Sequence, residues 1–252
     1  INVLHPASGT EPGSLLIAPL AGPGQRGVMM IDDEGELVWF HATVPQTAMN
    51  FRVARYKGQP VLTWWEGKSK MGTGVGECVI LDGSYRELAR FKAANGRPID
   101  LHEFIITPDN TALVSSNEVR TMDLTSLGGT SSSPVMGGLV LELEIPSGRV
   151  LWEWHSLDHV ALDESHQQIG PRFDYFHINS IDVEPDGNLI VSARNTWAVY
   201  KVNRKTGAVM WRLGGKKSDF KIGKTTGFAW QHSARIHDRG RLLTLFDHRA
   251  AP

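Results

Sequence analysis

An all-β fold built of four-stranded blades, a β-propeller, is what this sequence predicts. Three observations predict it. Short apolar or alternating runs recur along the 252 residues between Gly, Pro, Asp and Asn, the pattern of strands and turns. Sustained helical periodicity is missing; the best short-helix candidate is Ser156–Gln168. Finally, two kinds of hairpin alternate in series. Two hairpins make a four-stranded meander, and recurring meanders are the mark of propeller blades.

The elements follow in chain order. Ser14–Leu20 and Val28–Ile31 read as the opening strands. The first turn unit is "IDDEGELVWF" (31–40), in which a strand runs into a polar turn, a glycine (Gly35) and a tryptophan four residues later (Trp39). The unit recurs as "IPSGRVLWEW" (145–154) and "NRKTGAVMWRL" (203–213), with Gly148/Trp152 and Gly207/Trp211. "ILDGSYRELARF" (80–91) is a degenerate copy with Leu88 at the tryptophan position. Glycine suits a positive-φ turn, and the tryptophans are expected to stack blade on blade. A second unit, strand–turn–strand, precedes each later copy: "NFRVARYKGQPVLTWW" (50–65), "LHEFIITPDNTALVSS" (101–116) and "FHINSIDVEPDGNLIVSAR" (176–194). "QHSARIHDRGRLLTLFDH" (231–248) is another, with no second half after it. Its starts, Asn50, His102, His177 and His232, lie 52, 75 and 55 residues apart, and the long interval holds two insertions, 125–138 and 157–173. The expectation is a single domain over 1–252, about four and a half blades, forming the N-terminal part of a larger propeller.

Composition narrows the function. Net charge is −1, so no long-range field draws in nucleic acid or an anionic membrane. No apolar run approaches a membrane span. Cys78 is the one cysteine, which rules out an internal disulfide and is expected to be buried and inert. The chain opens on Ile1 and reads as a processed product or an excised piece.

His102, His177 and His232 occupy one position in three successive repeats, the entry to the first strand. In a propeller that strand lines the axis, so the three should converge. Arg194 closes the second strand of the hairpin that His177 opens and should share its rim. Three histidines are a zinc pattern, but an adjacent guanidinium disfavours a cation. An oxyanion such as a sulfate or phosphate ester fits better. Imidazole is also a competent nucleophile, acid or base near neutrality. Histidines spread more than about 10 Å apart would instead fit a non-catalytic binding or scaffold propeller. Trp64 and Trp65 end a strand on the same rim and could hold an aryl ring, although packing competes. His248 falls 16 residues after His232, close to the 17 from His177 to Arg194, and is a candidate equivalent of Arg194. His155, His159 and His166, near or within the second insertion, are expected in a solvated loop.

"DLHEF" (100–104), "FHINS" (176–180), "SARNTW" (192–197), "WRLGGK" (211–216) and "WQHSAR" (230–235) together resemble the arylsulfotransferase family of β-propellers, as do "VLTWWEG" (61–67) and "WEWHSLDHV" (152–160). The resemblance implies a six-bladed propeller. It implies an enzyme, periplasmic or secreted, that moves a sulfuryl group from an aryl sulfate to a phenol without a nucleotide donor, through a transiently sulfurylated histidine. By motif the nucleophile would be His232, with His102, His177 and Arg194 as its partners and Asn179 on the substrate. No metal or cofactor is implied. A sulfate-ester hydrolase is the remaining catalytic alternative.

Overall fold

The computed structural model describes residues 3–5, 8–21, 24–70, 72–223 and 225–249. It is all-β, with a series of antiparallel sheets that follow one another along the chain. The first is three-stranded: β1 (Leu15–Ile17), β2 (Gly27–Ile31) and β3 (Leu37–Ala42). The second is a meander of β4 (Thr47–Tyr56), β5 (Gln59–Lys70), β6 (Thr73–Leu81) and β7 (Glu87–Phe91). The third orders β8 (Phe104–Ile106), β9 (Thr111–Met122), β10 (Ser133–Glu144) and β11 (Val150–His155), with β12 (Phe173–Asp174) parallel to β10. The fourth is the meander β13 (Ile178–Val183), β14 (Leu189–Ala193), β15 (Ala198–Val202) and β16 (Val209–Gly214). The fifth holds β17 (His232–His237) and β18 (Leu242–Phe246).

The hydrophobic core is divided between successive sheets. Val28, Phe51, Leu62, Trp64 and Val79 join the first to the second. Trp65, Ile80, Phe91, Phe104 and Leu141 join the second to the third. Leu113, Val140, Phe176, Val191 and Tyr200 join the third to the fourth. Ile190, Val199 and Ala234 join the fourth to the fifth. The alternating strand pattern therefore buries both faces of the inner sheets, which is why these strands carry few polar residues.

Several sequence expectations change here. The helix expected over Ser156–Gln168 shrinks to one turn, α1 (Ser156–His159), and a 3₁₀ turn at Leu162–Glu164. The insertion 125–138 is partly strand: Ser133–Gly138 pairs with Met122–Asn117 and lengthens β10 and β9 into a ribbon. Its glycines let neighbours approach: a Cβ on Gly138 would lie 2.6 Å from the Ile178 side chain. Leu88 is not the counterpart of Trp39. Asp32 and Asp82 make the same turn, whose positive-φ residue is Gly35 in one and Tyr85 in the other. Met30 pairs Trp39 and Ile80 pairs Ala89, so Ala89 takes the tryptophan place. Trp39 instead stacks on Tyr85 of the next sheet, ring centroids 5.1 Å apart. Cys78 is fully buried, and burial pushes its thiol well above the usual range.

Candidate active site

The first strands of successive sheets lie side by side. Ala234 N donates to Ser180 Oγ and Ile236 N to Asp182 Oδ2, joining β17 to β13. Pairing is irregular near the start of three of these strands, between Met49 and Arg52, Ile178 and Ser180, and His232 and Arg235. Such bulges re-aim side chains beside functional sites. Backbone strain gathers at the same end. His177, Trp197, Trp230 and Ser233 hold φ of 60°, 53°, 54° and 52°, a region costly for bulky residues.

The three repeat histidines converge. Ring centroids of His102 and His177 are 4.9 Å apart, and those of His102 and His232 6.2 Å. Each ring is anchored through Nδ1, which leaves Nε2 free of protein partners among the described residues. His102 Nδ1 meets Asp100 Oδ2 at 2.5 Å, and His177 Nδ1 meets Asp174 Oδ2 at 2.6 Å. His232 Nδ1 donates to the Trp230 carbonyl at 2.8 Å. The partner on Nδ1 decides which form of the ring is favoured. Two rings carry a carboxylate able to support an imidazolium. The third carries a neutral carbonyl, which places the proton on Nδ1 and the lone pair on Nε2. Burial lowers the His232 pKa to about 4, opposed by the Trp230 hydrogen bond and helped by the neighbouring histidines. His232 is thus a neutral imidazole at physiological pH.

Arg194 follows β14 and its N–H donates to the His177 carbonyl at 2.9 Å. Its guanidinium lies 4.0 Å from the Trp230 ring centroid and donates to Asn195 Oδ1 at 3.1 Å. Among the described residues no carboxylate forms an ion pair with it. Burial pulls its pKa below the ordinary value, with Asp174 opposing. His248 also joins the cluster, stacked on His232 with centroids 4.6 Å apart.

Three expected substrate contacts are placed otherwise. Trp64 and Trp65 are both 0% exposed. Trp64 Nε1 donates to Glu66 and Trp65 Nε1 to the Ile99 carbonyl. The Trp65 ring lies so close over Gly74 and Gly76 that a Cβ on Gly76 would sit 2.5 Å from it. These two rings are packing, with no face left for a ligand. Asn179 is buried; its Nδ2 donates to the Gln231 carbonyl at 2.5 Å, so it grips the residue before His232. The expected loop histidines are packed as well, His159 against Trp154 and His166 against Trp197 at 3.7 Å and 5° between planes.

Sequence reasoning missed a second group. Glu103, next to His102, is 0% exposed. Its carboxylate receives Arg52 Nη2 at 2.7 Å, Arg235 Nη2 at 2.6 Å and the Ile181 N–H at 3.1 Å. It therefore ties four sheets together. It also missed Asp100 and Asp174, although an aspartate two or three residues before a histidine ("DLH", "DYFH") was a visible signal.

Comparison with known proteins adds to this picture. The sequence profile of the family described as Arylsulfotransferase (ASST) matches residues 52–252. No curated protein matches the chain. Among solved structures, a protein of unknown function from Bacteroides caccae is similar at 17% identity with a TM-score of 0.50, over 95% of this chain and 70% of that one. That likeness concerns the fold alone.

Proposed function

The chain belongs to the arylsulfotransferase family, and on that premise we propose that it moves a sulfuryl group from an aryl sulfate to a phenol, without a nucleotide donor, through a sulfurylated His232. One observation carries the reading. Three imidazoles with Nδ1 engaged and Nε2 free gather around His102, whose ring lies 4.9 Å from that of His177 and 6.2 Å from that of His232, beside a guanidinium that no carboxylate neutralises among the described residues.

The chemistry follows from those groups. His232 Nε2 attacks sulfur; the N–S bond forms as the S–O bond to the aryl group breaks. The departing phenolate takes a proton from His102 or His177, whose rings are held through Nδ1 by Asp100 and Asp174. In the return half the acceptor phenol gives its proton to the same histidine, and its oxygen takes sulfur from His232. Arg194 holds the sulfuryl oxygens as charge shifts, a preorganised electrostatic role. A phenol leaves readily, so the residues at hand suffice. His248, against His232, lies where it can contact the same group. The successive meanders and adjoining first strands support an arc of propeller blades over 1–252, and family membership supports an exported protein acting on small aromatic molecules.

The test is turnover of a chromogenic aryl sulfate with and without a phenol acceptor. Acceptor-dependent release is expected in the wild type, falling on the order of 10⁶-fold in His232→Ala, as for loss of a nucleophile. Donor consumption that ignores the acceptor would mark a hydrolase. Unchanged turnover in His232→Ala, or none from the wild type over a broad donor panel, overturns the proposal.

A further inference from the structure

The rim that carries His177, Arg194 and His232 also carries a cleft of about 460 Å³ that the transfer chemistry does not use. Its walls come from three directions. Trp197 stands on the turn between β14 and β15, its N–H bonded to the Arg194 carbonyl. Ile222, Phe228 and Ala229 belong to the connection from β16 to His232. His166 arrives from the insertion 157–173 and lies flat against Trp197.

Among the described residues the lining is aromatic, aliphatic and glycine, with no carboxylate. The Arg249 side chain in the wall already donates to Asp247 and to the Gly227 carbonyl. Two ring nitrogens in the wall, Trp197 Nε1 and His166 Nε2, are buried without a hydrogen-bond partner among the described residues. A buried polar atom left unpaired destabilises the fold, so the wall is chemically unfinished. Trp197 also holds its φ of 53°, the kind of strain that collects at ligand sites. Its walls are tied to the catalytic group through the chain at two points: the Trp197 N–H is bonded to the Arg194 carbonyl, and Ala229 precedes Trp230, the ring on which Arg194 lies.

We propose that this cleft is a binding subsite for the ring of a flat, uncharged aromatic alcohol, with Trp197 and Phe228 as its specificity-determining walls. The inference rests on the transfer reading for its connection to catalysis, since donor and acceptor would each present such a ring while sulfur faces His232. Uncharged aromatic rings suit these walls, because stacking on Trp and Phe rewards a π-face that a saturated ring lacks. An anionic headgroup or a peptide would find little to hold it.

Equilibrium dialysis with 2-naphthol tests this without any chemistry, with cyclohexanol as the saturated control. Retention of naphthol, and none of cyclohexanol, is expected for the wild type and for His232→Ala alike. Phe228→Ala and Ile222→Arg should each weaken naphthol binding about tenfold or more, with the circular dichroism melt confirming that each variant is folded. Equal binding by both folded variants, or no retention by the wild type, overturns the subsite. The two readings fail separately. Naphthol bound in the cleft without sulfuryl transfer leaves the subsite standing and removes the transferase; transfer that persists when the cleft binds nothing does the reverse.

Discussion

Two arginine environments border the histidine cluster, and they are opposites. Arg52 and Arg235 close on Glu103, whose carboxylate is fully buried and takes a third bond from the Ile181 N–H. Arg194, two sheets along from Arg52, rests on the Trp230 face and donates to the Asn195 amide oxygen, with no carboxylate paired to it among the described residues. The first charge is answered by the fold, and the second is left for something outside it. A guanidinium pushed below its ordinary pKa by burial is destabilised until an anion arrives. The contrast separates a residue that holds sheets together from one held ready for a ligand.

The contrast breaks most visibly at Arg194. Arg194→Ala should lower transfer about 10²- to 10³-fold, the usual loss for one preorganised donor to a developing charge, while leaving the melting temperature unchanged or raised. A large fall in stability with little loss of rate would mean that Arg194 is structural after all. Glu103→Gln is the converse. It removes the shared counter-charge of two arginines and should cost about 3 kcal/mol of stability. At this chain length that is a fall of roughly 6–12 °C in Tm, read by calorimetry. The rate at a temperature where the variant is folded should fall far less than for Arg194→Ala. If instead the rate collapses while Tm holds, Glu103 belongs to the reaction and the division between the two environments is false.

How much of this was legible in the sequence depends on what kind of pattern carried it. Strand-and-turn periodicity is local, and Val28–Ile31 shows it, one residue short of the observed β2 (Gly27–Ile31). The convergence of His102, His177 and His232 was legible because a repeat transmits position over 55 to 75 residues. What a repeat cannot transmit is where a side chain points once a bulge intervenes. Asn179 lies at the Ile178/Ser180 irregularity and turns to the next sheet rather than to a substrate. Trp64 and Trp65 alternate along β5, so period-two logic should send one of them outward. Stacked sheets on both faces bury them both. Leu88 was aligned by counting from the wrong turn residue, since Tyr85 adopts a left-handed conformation that sequence assigns to glycine. Glu103 was invisible for a different reason: its partners come from three other repeats, at Arg52, Ile181 and Arg235.

The smallest effect is the sharpest probe of which histidine is the nucleophile. Two asparagines act as paired grips. Asn50 Nδ2 holds the Leu101 carbonyl before His102 at 2.7 Å, and Asn179 Nδ2 holds the Gln231 carbonyl before His232 at 2.5 Å. They differ in their other atom. Asn50 Oδ1 receives Arg52 from the structural side, whereas Asn179 Oδ1 is buried with no donor among the described residues. Removing either grip leaves one carbonyl unpaired, about 1 kcal/mol of lost hold, or roughly a fivefold change in rate where that hold is expressed in the transition state. Gln231 is still fixed by its side chain, which donates to Ser192 and to the Ala193 and Ala198 carbonyls, so Asn179→Ala should leave the fold intact. If His232 attacks sulfur, Asn179→Ala lowers kcat about fivefold with KM little changed, in both halves of the cycle, and accumulates less sulfurylated protein in a single turnover. Asn50→Ala should act on the proton-moving step, with an effect that shrinks as donors carry better leaving groups. Should Asn50→Ala instead reduce the sulfurylated intermediate and Asn179→Ala show the leaving-group dependence, the nucleophile is His102 and the roles of the two rings exchange.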